Sequence, residues 1–260
     1  MVPGTAELTG RGLTWLEEDV TTRGVRQRRF DVVRDGRTVP GLLWTPEGAS
    51  GPRPLVLIGH GAGHTKRGPY VVALARKLVR HHAFAAAAID GPTHGDRRSD
   101  RSDDGALMMM EFARAWASDP SMTDEMIRDW RATLDALTDL DEVGESRVAW
   151  WGLSMGTILG IPFVASEKRI EVAVLGLMGI ATPEASFTER FLQDARSISC
   201  PVLFLLQWDD ELMRRSDVLA LFGEIGSTDK RLHAHPGGHV AVPAEELDWS
   251  ARFLADHLCP

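Results

Sequence analysis

The sequence predicts an α/β fold, a mostly parallel eight-stranded sheet with helices on both faces. Three observations lead there. Short apolar runs such as "PLVLIG" (54–59) and "CPVLFLLQ" (200–207) alternate with helical patterns along most of the chain, as expected for β–α–β units whose strands are buried on both sides. At 260 residues, with 43% hydrophobic and 25% charged residues, the chain is long enough and ordinary enough in composition to bury one core of this kind. Finally, loops bearing Gly, His, Ser and Asp follow residues 59, 152, 207 and 236, each at a strand C-terminus, where open α/β sheets collect ligand chemistry.

In chain order, residues 1–27 read as an irregular or partly helical lead-in. "RRFDVV" and "VPGLLWTP" form two β segments joined by the turn "RDGR". The strand 54–59 follows. In 68–82, Tyr70, Val71, Leu74, Ala75, Leu78 and Val79 share one helical face. "AFAAAAID" (83–90) is the next strand. Helices follow around 105–118 and 121–140, the second with Met122, Ile127, Trp130, Leu134 and Leu137 on one side and Ser121 as N-cap. "RVAWWG" (147–152) is a strand and 155–168 a helix. Further strands lie at 170–176, 200–207 and 230–236, with helices near 184–197, 213–226 and 244–258. No repeat, linker or break in composition divides the chain, so 1–260 reads as a single domain with 91–120 as a segment able to cover a pocket.

A formal net charge of −8 argues against nucleic-acid and anionic-membrane partners. The first twenty residues carry acids and no apolar stretch, unlike a secretory signal, and no apolar run is long enough to span a bilayer. Cys200 and Cys259 do not make a disulfide framework, and Cys200, just before a core strand, reads as a buried inert thiol. These features point to a cytoplasmic protein whose partner is a small molecule.

The chemistry centres on "WWGLSMG" (150–156). Gly152 and Gly156 flank Ser154 two residues away on either side, where side chains would clash as a strand turns sharply into a helix. A serine hydroxyl becomes a nucleophile only beside a base, and the base needs a third group to hold its tautomer. "HPGGHVAVP" places His239 behind two glycines after the last strand, as the base. "LLQWDDELM" supplies Asp209, Asp210 and Glu211 just past a buried strand, and spacing does not choose between Asp209 and Asp210. The glycine-rich "IGHGAGH" (58–64) frees backbone N–H groups for a developing oxyanion, and the N–H of Met155 is the second donor. His233 and His235 alternate along the preceding strand as ordinary strand positions. As an H-x-H metal pair they have no third ligand nearby in the sequence.

Nucleophile, acid and base in the order Ser154, Asp210, His239 resemble the α/β-hydrolase superfamily, over nearly all of residues 28–258. "HGAGHTK" followed by "AIDGPTHGDR" is similar to the dienelactone-hydrolase and acetylesterase-like branch, which carries an H-G-x-G turn and a D-x-P-x-H-G segment in the same places. That branch sets its acid three residues after a glycine. Gln207 stands in place of that glycine here, and counting from it the resemblance selects Asp210. It also implies that Ala62 gives the first oxyanion N–H, with Gly63 the alternative. Dienelactone hydrolases use cysteine as nucleophile, so Ser154 points instead to carboxylic esters of small or medium size, cleaved through an acyl-enzyme without metal or organic cofactor. Thioesters, lactones, amides and C–C bonds are open to the same groups.

Two other readings compete. In "GHGAGH", with Asp90 closing the next strand, a dinucleotide fingerprint lacks its third glycine because position 64 is His. A catalytically silent ligand-binding protein of the same fold would leave Ser154, Asp210 and His239 without work. "DRRSDRSDD" (96–104) reads as a solvated loop. The consecutive Met residues of "LMMMEFARAW" (107–116) cannot all face one core, so some face a pocket mouth or solvent. His64, His94 and Trp208 adjoin the predicted site.

Overall fold

The structure, a computed structural model, describes residues 10–145, 147–180 and 185–259. Among them are nine strands, β1 (Leu13–Thr22), β2 (Val25–Arg34), β3 (Arg37–Pro46), β4 (Leu55–Gly59), β5 (Ala85–Ile89), β6 (Val148–Gly152), β7 (Ile170–Gly176), β8 (Val202–Gln207) and β9 (Lys230–His235). Seven helices accompany them, α1 (Pro69–His82), α2 (Gly105–Ser118), α3 (Met122–Thr138), α4 (Met155–Ser166), α5 (Ala185–Ser197), α6 (Arg215–Glu224) and α7 (Glu245–Leu258). The strands form one sheet in the order β1-β2-β3-β5-β4-β6-β7-β8-β9. β1, β2 and β3 pair antiparallel and join β5 antiparallel. From β5 to β9 every pairing is parallel.

The expected lead-in is corrected by β1, which makes nine strands where eight were expected. Residues 1–9 of that lead-in lie outside the described residues. "LTWLEEDVTT" hides its β character because Glu17, Glu18 and Asp19 interrupt any alternation. The register slips between Trp15 and Asp19, so the acids fall at an irregularity of an edge strand, where charge and bulges are tolerated. Leu13 is fully buried, and Trp15 packs edge-on to Phe30 at 6.3 Å across the strand pair. The "RDGR" turn forms as expected: Asp35 and Gly36 both adopt positive φ, and Arg34 pairs with Arg37.

Alternation along the central strands divides the core into two layers. Leu55 and Leu57 of β4 point into a cluster with Trp130, Phe163 and Phe204. Val56 and Ile58 point the other way, toward Leu74, Leu78 and Leu254 of α1 and α7. Helices α3 and α4 cover the first face; the predicted face of α3 (Met122, Ile127, Trp130, Leu134, Leu137) is buried throughout. Ser121 stands at its N-cap as expected, but its hydroxyl makes no capping hydrogen bond and instead donates to Asp119 Oδ1 at 2.6 Å. In α2, Met108 and Phe112 are buried while Met109 and Met110 face solvent. No helix among the described residues is long and apolar enough to cross a membrane.

Candidate active site

At the end of β6, Ser154 occupies φ 56°, ψ −117° between the strand and α4, a strained conformation that persists only when its surroundings enforce it. Its N–H donates to Gly176 O at 3.0 Å, tying the turn to the neighbouring strand. The flanking glycines are required sterically. A Cβ at Gly152 would lie 2.6 Å from Gly156 O, and one at Gly156 would collide with Gly59 O. Beneath them Trp150 is fully buried and packs edge-on to Trp130 at 4.9 Å; its indole fills the space left by Gly59 and Gly160.

His239, Asp210 and Ser154 come together from three separate strand ends. His239 Nε2 is 3.0 Å from Ser154 Oγ, and His239 Nδ1 is 2.8 Å from Asp210 Oδ2. The pair is sheltered, with side-chain exposures of 7% for His239 and 2% for Asp210. Asp210 Oδ1 accepts the N–H groups of Leu212 and Met213 at 2.8 and 2.9 Å, which fixes the carboxylate with its other oxygen on the imidazole. Of the two aspartates that spacing left open, it is Asp210 whose carboxylate meets the His239 ring. Asp209 Oδ2 accepts from Gly237 N–H at 3.1 Å, and Glu211 Oε2 accepts from the His239 N–H at 2.9 Å. Both neighbouring acids brace the loop that carries His239. Gln207, in the place of a glycine, is buried and donates from Nε2 to Gly238 O at 3.1 Å.

Across from Ser154 lies the loop after β4. The Gly63 N–H donates to His94 Nε2 at 3.1 Å, so it is already committed. Neither the Ala62 nor the Met155 N–H has an acceptor among the described residues. The loop is held from below by groups the motif did not reveal. Gly61 N–H donates to the Tyr70 hydroxyl oxygen at 2.6 Å, and Gly91 N–H donates to His60 Nε2 at 2.8 Å. Tyr70, expected simply as part of a core face, is the chain's sole tyrosine. A buried hydroxyl demands a partner, and that was the available signal.

Burial holds the His60 imidazole neutral, its pKa pushed down to about 3 from 6.5. Burial also lowers His94 and His64. The unfolded chain therefore binds protons that the folded chain refuses. Stability is full above pH 6.5 and shrinks as pH falls from there toward about 3, by up to ~1.4 kcal/mol per pH unit for His60 alone. Denaturant unfolding at pH 7 and pH 5 should differ by about 2 kcal/mol or more. Equal stabilities would contradict the neutral buried imidazole.

Ser154 and His239 open onto a cavity of about 330 Å³ walled by Tyr70, Trp151, Leu153, Leu177, Val242 and Leu247. His64 also lines it, whereas Trp208 is half exposed and stacks under Arg215. None of the residues lining the cavity comes from 91–120. Helix α2 meets the site through its first residue, since a Cβ at Gly105 would lie 2.8 Å from Gly63 O. Asp90 is fully buried and accepts from the N–H groups of Lys66 and Asp96 and from the Lys66 ammonium. It has no oxygen facing a ribose, which removes the dinucleotide reading. Cys200 is half-buried and unpaired, its thiol pushed up by burial to about 11.

A family profile described as the alpha/beta hydrolase family matches residues 55–256. The chain belongs to the alpha/beta hydrolase family. Among solved structures, the hydrolase is similar to a cold-adapted esterase from an Arctic intertidal metagenomic library in a polyethylene-glycol-bound complex, at 41% identity and TM-score 0.79, covering 94% of this chain and 99% of the other. A zinc-bound structure of that esterase matches at 40% identity and TM-score 0.77 over the same shares. The hydrolase also shares its fold with an acetyl xylan esterase from Paenibacillus sp. R4, at 18% identity and TM-score 0.67 over 95% and 88% of the two chains. A dienelactone hydrolase from Anabaena variabilis matches at 17% identity and TM-score 0.59, over 90% and 97%. These neighbours agree with the branch that "HGAGHTK" and "AIDGPTHGDR" resemble. No match was found among curated protein sequences.

Proposed function

We propose that this hydrolase is a serine esterase cleaving carboxylic esters of small or medium acyl groups through an acyl-enzyme. One observation carries the reading: Ser154 Oγ, His239 and Asp210 form an unbroken hydrogen-bonded relay, at 3.0 and 2.8 Å, at the mouth of an apolar cavity. The 41%-identical relative is itself described as an esterase.

His239 Nε2 takes the Ser154 proton as Oγ attacks the carbonyl carbon, and Asp210 holds the imidazole with its proton on Nδ1. The oxyanion is received by the N–H groups of Ala62 and Met155, the second at the positive end of α4. Each donor contributes about 3 kcal/mol to the transition state. His239 then gives its proton to the departing alcohol oxygen, leaving Ser154 acylated. Water, deprotonated by the same nitrogen, attacks the acyl carbon, and collapse returns the serine hydroxyl and frees the acid. These steps need only the chain's own groups and water. The unpaired cysteines accord with a cytoplasmic enzyme.

The cavity lies near the lower end of the ~300–1,000 Å³ range of ligand pockets, and its wall is apolar. Across a series of p-nitrophenyl esters, kcat/KM should therefore peak at short to medium acyl chains and fall by at least about tenfold for long ones, which cannot be enclosed. No hydrolysis of any ester in the series, by correctly folded protein, would overturn the reading.

A further inference from the structure

On the far edge of the sheet, β9 pairs among the described residues with β8 alone. His233 and His235, two residues apart, share one face of it. Both rings turn to a single carboxylate oxygen: Glu246 Oε2 lies 2.9 Å from His233 Nδ1 and 2.7 Å from His235 Nε2. Glu246, from the first turn of α7, is fully buried. Ser250 Oγ donates to its other oxygen at 3.2 Å, which fixes the carboxylate and leaves Oε2 on the imidazoles. Trp249 stacks on His235 at 5.7 Å and meets His233 edge-on at 5.9 Å. An open cavity of about 570 Å³, lined by both histidines and Trp249, borders the cluster. Among the described residues this is the one group of three ligating side chains drawn together, with all three ligand atoms within 4.8 Å of one another.

We propose that His233, His235 and Glu246 bind a divalent transition-metal ion, zinc by preference, which clamps α7 onto the edge strand. Two imidazoles and one carboxylate are a zinc donor set, and three protein ligands leave a fourth position for water from the adjoining cavity. A tetrahedral ion with bonds of about 2.0–2.2 Å holds its ligand atoms about 3.3–3.6 Å apart, so shifts of about 1 Å or less seat it here. Each neutral ring ligates through the nitrogen now facing Glu246 and carries its one proton on the other. The ion is not part of ester cleavage. Its mechanical reach is toward the catalytic loop, because the carbonyl of His235 accepts the Trp208 N–H at 2.7 Å and the chain reaches His239 four residues later.

The test is titration of the metal-stripped full chain with zinc chloride by calorimetry, with cobalt(II) absorption reporting coordination. One equivalent should bind, cobalt should give the spectrum of a four-coordinate site, and zinc at about 100 times Kd should raise Tm by about 5 °C. His233 is partly exposed, so His233→Ala should keep its circular dichroism while losing affinity at least about tenfold. Glu246→Gln should also lose binding. Ser154→Ala should bind zinc like the wild type, which separates this site from the catalytic one. Absence of saturable binding, or binding undiminished in folded His233→Ala, overturns the proposal.

Discussion

Ser154→Ala should fold like the wild type and lose at least about 10⁴-fold in kcat for a p-nitrophenyl ester. No other hydroxyl oxygen is hydrogen-bonded to His239 among the described residues, so no neighbour replaces the nucleophile. The fold is spared because alanine needs no more room than serine and the turn is held by backbone. Ser154 N–H still donates to Gly176 O, and Gly152 and Gly156 still clear the crossing. Residual rate would come from the oxyanion donors acting on water-driven hydrolysis. Activity within tenfold of wild type would remove Ser154 from the role of nucleophile.

Asp210→Asn should cost about 10⁴-fold in kcat, whereas Asp209→Asn should stay within about tenfold. The difference follows from which oxygen each carboxylate uses. Asp210 Oδ1 accepts two backbone N–H groups, from Leu212 and Met213. In the amide, the carbonyl oxygen stays on those donors and the NH₂ is turned to His239 Nδ1. That pushes the imidazole proton onto Nε2, where it can no longer accept from Ser154. The Asp209 carboxylate receives the Gly237 N–H at 3.1 Å, and an amide oxygen accepts that bond as well. Equal losses in the two variants, or a larger loss at Asp209, would move the acid.

How far the sequence disclosed these sites follows from what each signal depends on. The turn around Ser154 and the strand–helix alternation were readable because local sterics and period-2 or period-3.6 burial write themselves into neighbouring residues. β1 was not, since an edge strand with three consecutive acids lacks that pattern and meets the core through Leu13 and Trp15. The choice of Asp210 over Asp209 depends on how residues 207–213 curl, so in the sequence it rests on resemblance alone, and the curl shows in the two backbone N–H groups that hold Asp210 Oδ1. The hydrogen bond from Gly63 to His94, beside an Ala62 N–H with no acceptor among the described residues, joins residues 31 apart and has no local signature. Glu246 was invisible for the same reason: "HAH" has no third ligand within reach along the chain, and the first turn of α7 brings one back onto it.

The central claim is that Ser154 is an activated nucleophile at a site that forms an acyl-enzyme. The most direct measurement is reaction with a fluorophosphonate, followed by mass spectrometry of the digested protein. One adduct per chain is predicted, on the peptide containing Ser154, with Asp210→Asn labelling much more slowly. A folded protein that takes up no label, or takes it up on another residue, would contradict the account and leave a binding protein with a hydrolase fold.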